Sequence, residues 1–154
     1  MLDINDAALR LARVNAALAN TPNAAAIRSD LLTGVPGEFD LIVSNPPYLL
    51  DPARRSYRHG GGSLGEGLSV AILDAALGRL APGGTLVLYT GIAIVGGRDA
   101  FLDAAMRRLA GADMPWRYRE ADPDVFGEEL EGGAYDQADR IAAVVLTVTK
   151  LGRR

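Results

Sequence analysis

The chain has 154 residues, of which 49% are hydrophobic and 23% are charged, a balance typical of a globular domain with one sizeable core. It has no cysteine and a single histidine, which excludes a disulfide framework, a thiolate nucleophile and a cysteine-rich or histidine-rich metal site. Its formal net charge is −3 and it lacks a dense stripe of lysine and arginine, which disfavours, without excluding, tight binding to a nucleic-acid backbone.

The first third of the sequence alternates short apolar runs with one helical pattern. Met1 to Ile4 reads as the end of a strand, and Asp6 is placed to cap a helix. A second short strand covers Ala24 to Arg28, and Phe39 to Ser44 predicts a strand that is buried on both faces. The predicted inward stripe of the helix consists of Ala7, Leu11, Val14 and Leu18.

The middle of the sequence continues this alternation. A glycine-rich loop from His59 to Gly67 precedes a helix, and the turn at Pro82 leads into a strand from Thr85 to Tyr89. Asp99 is placed to cap a further helix, and Gly111 follows its end. The predicted inward residues are Val70, Leu73, Leu77 and Leu80 beside the first of these helices and Leu102, Met106 and Leu109 on the second.

Two predicted strands, Trp116 to Glu120 and Ile141 to Thr149, close the sequence. The acidic stretch between them, Asp122 to Glu131, is interpreted as a solvated flap, with a substrate-facing lid as the alternative. The alternation of strands and helices is typical of an α/β fold with a mostly parallel sheet, and we expect one domain over residues 1–154. No basic segment followed by an apolar run opens the chain, so we expect a cytoplasmic location.

The stretch SNPPYLL, Ser44 to Leu50, follows directly on the predicted strand. Proline donates no backbone hydrogen bond, so the strand stops here, and open α/β sheets bind ligands outside the carboxyl ends of their strands. The stiffly held Pro46 carbonyl and the Asn45 side chain provide two acceptors, and Tyr48 provides a flat apolar face. Together they suit a planar –NH2 group, since holding both hydrogens turns the nitrogen lone pair toward an electrophile.

SNPPY after the strand FDLIV resembles the class I S-adenosylmethionine-dependent amino-methyltransferases, a group that includes protein glutamine N5-methylases and adenine N6-methylases. The resemblance extends over nearly the whole chain. The family's second strand and helix are matched by LDIN and ALRLARVNAAL, its third strand by IRSDLL, its fifth strand by LAPGGTLVLYTG and its final antiparallel strand by YDQADRIAAVVLTVTK. It implies a Rossmann-like, three-layer α/β/α fold and an enzyme that methylates a planar nitrogen of a protein glutamine or a nucleobase.

The resemblance also implies roles for five residues. Asn45 and the Pro46 carbonyl would hold the target amino group, and Tyr48 would stack on it. Asp3 would accept hydrogen bonds from the ribose of S-adenosylmethionine, and Asp30 from its adenine amino group. Asn45 would also border the cofactor.

Each of these residues has a simpler interpretation as well. Asn45 could satisfy its own turn, Asp3 and Asp30 could be surface or capping residues, and Tyr48 could belong to the core. A sulfonium methyl donor needs positioning rather than a strong base, so we assign no general base and no metal and interpret His59 as a loop residue. Three arginines follow the Asn-Pro-Pro-Tyr stretch: Arg54, Arg55 and Arg58. We interpret them as part of a solvated loop, with a phosphate- or substrate-facing patch as the alternative.

In the family, a first strand and a glycine-rich loop that clasps the methionine end of the cofactor precede the segment matched by LDIN. The sequence begins at Met1, inside the second strand, so we interpret it as the C-terminal portion of a methyltransferase. Two alternatives stay open. One is a non-catalytic fragment that folds and associates without cofactor; the other, less favoured, is a dinucleotide-binding oxidoreductase, which leaves the Asn-Pro-Pro-Tyr stretch unexplained.

The family's first strand lies between the strands matched by Met1 to Ile4 and Phe39 to Ser44. Without it, both strands would carry unpaired backbone N–H and C=O groups along an exposed edge. We therefore expect self-association, most simply a twofold dimer that uses this edge. The alternative is a collapsed sheet in which Met1 to Ile4 pairs directly with Phe39 to Ser44.

We expect this chain to bind S-adenosylmethionine weakly or not at all. The family's glycine-rich loop supplies backbone N–H groups and a close backbone approach that side chains elsewhere do not readily replace. Calorimetric titration of the chain with S-adenosylmethionine measures this affinity. A dissociation constant of about 1 μM or tighter, a binding free energy of about −8 kcal/mol, would contradict the expectation.

Overall fold

The computed structural model describes residues 1–131 and 133–152, and the chain divides into two compact units, Met1–Gly37 and Glu38–Arg154. The predicted α/β class is confirmed. Across the described ranges, no helix is both long enough and apolar enough to cross a membrane. In chain order the elements are β1 (Leu2–Asp3), α1 (Asp6–Leu18), β2 (Ile27–Arg28), β3 (Phe39–Ser44), α2 (Gly67–Leu77), β4 (Leu80–Val95), β5 (Arg98–Asp99), α3 (Ala100–Leu109), β6 (Trp116–Asp122), a 3-10 turn (Gly127–Glu131) and β7 (Arg140–Thr149).

The first unit is built on two short parallel strands. In the pairing of β1 with β2, Leu2 lies beside Ile27 and Asp3 beside Arg28. Both strands fall within their predicted ranges. In this unit β1 pairs with β2.

Asn5, rather than Asp6, caps α1. The Asn5 side-chain oxygen accepts hydrogen bonds from the N–H groups of Ala7 and Ala8 at 2.9 and 3.4 Å. Asp6 lies in the first turn, where a carboxylate is favoured by the helix dipole, and forms a salt bridge with Arg28 at 2.7 Å. The predicted cap was therefore wrong by one residue.

The predicted inward stripe of α1 is also wrong. Leu9 is the buried residue of this helix, and small side chains surround it on the face toward β1 and β2. Alanines let a helix lie close to so small a sheet, and the larger apolar side chains are left on the adjoining, exposed face. The half-buried alanines are Ala8, Ala12 and Ala16, and the exposed residues of the predicted stripe are Ala7, Leu11, Val14 and Leu18.

The second unit contains a mixed sheet with the strand order β3-β4-β7-β6, and β5 pairs with the end of β4. β3 runs parallel to β4, whereas β7 is antiparallel to both β4 and β6. The predicted antiparallel C-terminal strand is thus confirmed. α2 and α3 contact β4 and each other, and the main core lies between these helices and the sheet. Its fully buried side chains include Leu73, Leu86, Leu88, Phe101, Val144, Leu146 and Val148.

β4 is much longer than the predicted strand from Thr85 to Tyr89. β7 pairs with β4 from Thr85, beside Thr149, to Ile94, beside Arg140, and so continues past Gly91. This long antiparallel ladder satisfies the backbone on one side of β4 through the glycine. The predicted end of this strand at Tyr89 is therefore wrong.

β3 has the predicted bounds but is not buried on both faces. Among the described residues it forms one edge of its sheet, and its strand partner is β4. Ile42 packs against the main core, whereas Leu41 and Val43 are 59% and 68% exposed. Side chains alternate between the two faces of a strand, so α2 and α3 leave the face of Leu41 and Val43 uncovered.

The two helices of the second unit follow their predicted patterns in part. On α2, Leu73 is buried, while Val70 and Leu77 are half-buried. On α3, the Asp99 carboxylate caps the helix by accepting from the Leu102 N–H at 2.7 Å, as predicted. Met106 was predicted to lie inward but is 44% exposed, and small or aromatic neighbours take its place in the core: Phe101, Ala104 and Ala105.

The Asn-Pro-Pro-Tyr corner as candidate active site

The corner, Asn45 to Tyr48, lies at the carboxyl end of β3. Asn45 is exposed and Pro46 is buried, so the backbone is anchored just where the asparagine side chain reaches solvent. The Asn45 amide has no hydrogen-bond partner anywhere in residues 1–131 and 133–152, which excludes the simpler interpretation that it satisfies its own turn. An exposed amide that no described protein group engages is available to a ligand.

The glycine-rich loop packs against the backbone of the corner and is hydrogen-bonded to the residue that follows it. The Leu49 N–H donates to the Arg58 carbonyl at 3.1 Å, and the Gly60 N–H donates to the Leu49 carbonyl at 2.8 Å. A Cβ atom on Gly65 would lie 2.1 Å from the Tyr48 carbonyl oxygen, and one on Gly60 would lie 2.7 Å from the Tyr48 Cα. Only glycine permits so close a backbone approach. This loop therefore supports the corner.

The Tyr48 ring is seated on β4. A Cβ on Gly91 would lie 2.4 Å from two atoms of the ring, so the glycine that interrupts the apolar pattern of β4 makes room for this tyrosine. The ring centroid of Phe126 lies 6.0 Å away at an interplanar angle of 50°. Tyr48 remains half-buried. Its burial raises the pKa of its hydroxyl, the nearby Tyr89 raises it further, and the hydroxyl therefore stays protonated at neutral pH. It is thus both a core contact and a partly accessible surface.

Tyr135 is a supporting residue that the sequence did not reveal. Its side chain is 2% exposed, and its hydroxyl accepts from the Leu50 N–H at 2.7 Å and donates to the Leu64 carbonyl at 3.4 Å. Desolvation raises the pKa of this hydroxyl, so it remains a donor. One buried hydroxyl therefore joins the segment after the corner to the glycine-rich loop. In the sequence, Tyr135 is visible only as an aromatic residue before the last strand, and it belongs to no motif that indicates a supporting role.

The buried carboxylate of Asp51 organises the arginines after the corner. Arg55 donates to its two oxygens at 2.6 and 2.8 Å, and the Arg55 N–H donates to Oδ2 at 2.7 Å. These hydrogen bonds outweigh burial and hold the pKa of Asp51 well below its usual range. Arg58 lies 4.0 Å from Asp51 and is hydrogen-bonded to Glu129. Arg55 is exposed, as the prediction of a solvated arginine loop expects, although it is paired with Asp51; Arg58 is half-buried, so the prediction is wrong for Arg58.

The acidic segment before β7 packs against the corner. Phe126 contacts Tyr48, Glu129 is paired with Arg58, and the Val125 N–H donates to the Ile141 carbonyl at 2.9 Å. The prediction of a solvated flap is wrong for these residues, because their apolar and charged partners lie in segments distant in the sequence. The segment forms one wall of the corner.

Asp3 and Asp30 lie in the first unit, at the carboxyl ends of neighbouring parallel strands. Both residues are exposed. The Asp3 carboxylate accepts from the Asn5 N–H at 2.7 Å, while the Asp3 carbonyl accepts from the Ser29 N–H at 3.0 Å. The fold thus brings the two predicted cofactor carboxylates to the same edge of this small sheet.

The fold and the corner together define a class of protein, the Rossmann-like methyltransferases. Residues 1–92 match the family described as Methyltransferase small domain. The chain belongs to this family.

Two curated relatives methylate glutamine according to their names. The release factor glutamine methyltransferase of Deinococcus radiodurans is 39% identical over 137 residues, which cover 82% of this chain and 45% of the relative. The ribosomal protein uL3 glutamine methyltransferase of Xanthomonas campestris is 37% identical over 101 residues, 58% of this chain and 33% of the relative. The chain therefore spans less than half the length of either relative.

Solved structures agree on the fold. A methyltransferase of Pyrococcus furiosus has a TM-score of 0.63 and 22% identity, with 97% of this chain and 61% of that chain covered. A methyltransferase of Streptococcus mutans in complex with SAH has a TM-score of 0.58 and 17% identity, covering 97% and 74% of the two chains. At these identities the likeness confirms the predicted Rossmann-like architecture.

We predict that the ion pair at Asp51 makes stability depend on pH. The pKa of the Asp51 carboxyl is lowered in the folded state. The ion pair therefore stabilises the folded chain at pH values above the usual carboxyl pKa of about 3.9, and this stabilisation is lost as the pH falls toward the folded pKa. Asp51→Asn should lower the urea midpoint at pH 7, and its difference from the parent chain should shrink at pH 3. Circular dichroism during urea denaturation at both pH values measures this.

The matched control is Asp74→Asn, since Asp74 pairs with Arg108 but has a side chain that is 52% exposed. This substitution should change the midpoint less at pH 7. An Asp51→Asn effect that is equal at both pH values, or absent at pH 7, would contradict the assignment.

Proposed function

We propose that this chain provides the acceptor-binding part of an S-adenosylmethionine-dependent methyltransferase that acts on the side-chain amide nitrogen of a protein glutamine. The observation that carries the proposal is the unpartnered Asn45 amide at the carboxyl end of β3, held beside the buried Pro46. The names of the two glutamine methyltransferase relatives support the same substrate class.

The corner offers what a primary amide requires. One hydrogen of the target –NH2 would donate to the Asn45 side-chain oxygen and the other to the Pro46 carbonyl, while the Tyr48 ring covers the amide plane. An amide nitrogen is a poor nucleophile because its lone pair is delocalised into the carbonyl. Fixing both hydrogens turns the lone pair out of conjugation and aims it, so positioning lowers the barrier.

The first unit has residues that fit the cofactor. The exposed carboxylates of Asp3 and Asp30 are acceptors, and the ribose hydroxyls and adenine amino group of S-adenosylmethionine are donors. When bound, the cofactor supplies a methyl group on a positively charged sulfur, which is electrophilic without further activation. Asp3 and Asp30 would therefore hold the adenosine portion.

The corner needs no strong base for this reaction. His59 is engaged in its own loop, where its Nδ1 accepts from the Asp51 N–H at 3.2 Å. Burial keeps the Tyr48 hydroxyl protonated. The proton of the methylated amide would pass to water once the nitrogen has become positively charged, so Asn45, Pro46 and Tyr48 act by holding and orienting.

We also propose that β3 mediates self-association. Its outer edge has no strand partner within the described residues, and Leu41 and Val43 add an exposed apolar strip beside it. A second copy placed by a twofold axis could pair with this edge. This interface would exist whether or not the chain binds cofactor.

We predict that Asn45→Ala, in a protein that contains the complete cofactor site, abolishes methyl transfer and leaves cofactor affinity nearly unchanged. The loss falls on the chemical step because Asn45 orients the acceptor amide. Tyr48→Phe should be mild, since it keeps the ring face. Radiolabelled methyl transfer to a glutamine-containing protein, with calorimetric cofactor titration, separates the two effects. If Asn45→Ala weakened cofactor binding and left turnover unchanged, the assignment of Asn45 to the acceptor amide would be contradicted.

We predict a dimeric mass for the chain and a monomeric mass for Val43→Lys, because lysine places a charge beside the pairing edge. Multi-angle light scattering measures both. Met106→Lys is the matched control, since it charges an exposed apolar position on α3 instead. A monomeric parent chain, or a dimer that survives Val43→Lys and dissociates with Met106→Lys, would contradict this interface.

A further inference from the structure

A pocket of about 400 Å³ opens beside the corner. Its lining begins at Leu50, two residues after Tyr48, so its wall starts within about 7 Å of Tyr48 along the chain. One part of the wall is apolar and the other carries charged and polar groups. The apolar part is formed by Leu50, Pro52 and Ala134, and the polar part by Asp51, Arg54 and His59.

Arg54 supplies the uncompensated charge of this pocket. The Asp51 carboxylate is neutralised by Arg55 at 2.6 Å, and Arg58 is paired with Glu129. Arg54 forms no ion pair within residues 1–131 and 133–152, and it is exposed. The arginine patch considered from the sequence is therefore reduced to one free guanidinium at the pocket wall.

His59 adds a directed hydrogen-bond donor. Because its Nδ1 accepts from the Asp51 N–H at 3.2 Å, the neutral ring carries its proton on Nε2. His59 is half-buried and lines the same pocket as Arg54. A guanidinium and an imidazole N–H on one wall are a donor set for an anionic oxygen.

The turn that carries Arg54 is tightly built. Arg54 has a φ of +51°, in the left-handed region that side chains rarely adopt. Its N–H donates to the Asp51 carbonyl at 2.8 Å, and the next N–H, of Arg55, donates to the Asp51 carboxylate at 2.7 Å. The buried Asp51 thus holds the strained residue in place at the pocket.

We propose that this pocket binds an acidic side chain of the protein acceptor, close in sequence to the glutamine that is methylated. Arg54 pairs with the carboxylate, and His59 donates to it from Nε2. The inference rests on the proposed function, because the pocket would then select which glutamines the corner receives. An extended acceptor advances about 3.3 Å per residue, so an acid within about three residues of the glutamine reaches the pocket.

The charge distribution favours a protein carboxylate over an RNA phosphate. A nucleic-acid backbone is bound by several cations together, whereas the described lining of this pocket offers one guanidinium without an ion-pair partner, that of Arg54. The net charge of the chain is −3. The apolar wall of Leu50, Pro52 and Ala134 suits the methylene groups of a glutamate.

The experiment uses the single histidine of the chain as its reporter. The imidazole Cε1–H resonance of His59 is followed by NMR while the 154-residue chain is titrated with heptapeptides. Each peptide has a central glutamine and alanine elsewhere, with one glutamate placed in turn at each of the other positions. The control for each is the same peptide with glutamine in place of that glutamate.

We expect at least one position where glutamate shifts the His59 resonance and tightens binding about tenfold over its control. Arg54→Gln should remove this preference, and Arg54→Lys should keep most of it. Arg117→Gln, at an exposed arginine on β6, should leave it unchanged. No preference at any position, or a preference that survives Arg54→Gln, would overturn the proposal.

Two further arms separate the related hypotheses. If a decameric oligouridylate shifts the His59 resonance, binds more tightly than every peptide and depends on Arg54, the protein-acceptor proposal is overturned in favour of RNA. If the acidic peptides bind in an Arg54-dependent way but replacing their central glutamine with alanine changes nothing, the pocket is supported and the proposed function of the corner fails.

Discussion

The close approach of the glycine-rich loop to the backbone of Tyr48 is the constraint on which the candidate site depends. Gly60 and Gly65 leave no room for a Cβ atom against the corner, and the hydrogen bonds of Leu49 lock the two segments together. Prolines alone would stiffen the chain without fixing its place. With the loop behind it, the corner has one position, and Asn45 projects from that position with its amide free.

The same constraint explains why much of the second unit converges on this corner. β4 accommodates the Tyr48 ring at Gly91, and the buried Tyr135 hydroxyl ties Leu50 to the loop. The buried Asp51 carboxylate pairs with Arg55, whereas Arg54 forms no ion pair within the described residues. A site that works by orienting a weak nucleophile gains from this rigidity, because errors in position directly raise the barrier. The residues that hold the corner in place, such as Gly65 and Tyr135, are therefore different from Asn45, which is proposed to bind the acceptor amide.

Local signals in the sequence were sufficient for the bounds of β3 and the cap of α3, but not for the length of β4 or the cap of α1. Strand ends, helix caps and the proline pair act within a few residues, so β3, the Asp99 cap and the exposed Asn45 follow from the pattern. Burial was less predictable because it depends on partners. Leu41 and Val43 have the composition of a buried strand but lie at an edge with one face uncovered.

The remaining errors have the same origin in long-range contacts. β4 continues past its predicted end at Tyr89, where Gly91 makes room for the Tyr48 ring, which lies more than forty residues earlier in the chain. The acidic segment looked solvated because the partners of Phe126 and Glu129 are in the corner and the arginine loop. Tyr135 carries no motif, so its role appears only when Leu50 and Leu64 are brought to its hydroxyl.

The central claim, that the corner grips a primary amide, is tested most directly by nuclear Overhauser contacts between the chain and N-acetylglutamine methylamide. The account predicts contacts from the side-chain amide hydrogens of this ligand to the ring protons of Tyr48, and their loss in Asn45→Ala. A bound ligand whose amide hydrogens show no contact with Tyr48, or contacts that persist unchanged without Asn45, would contradict it.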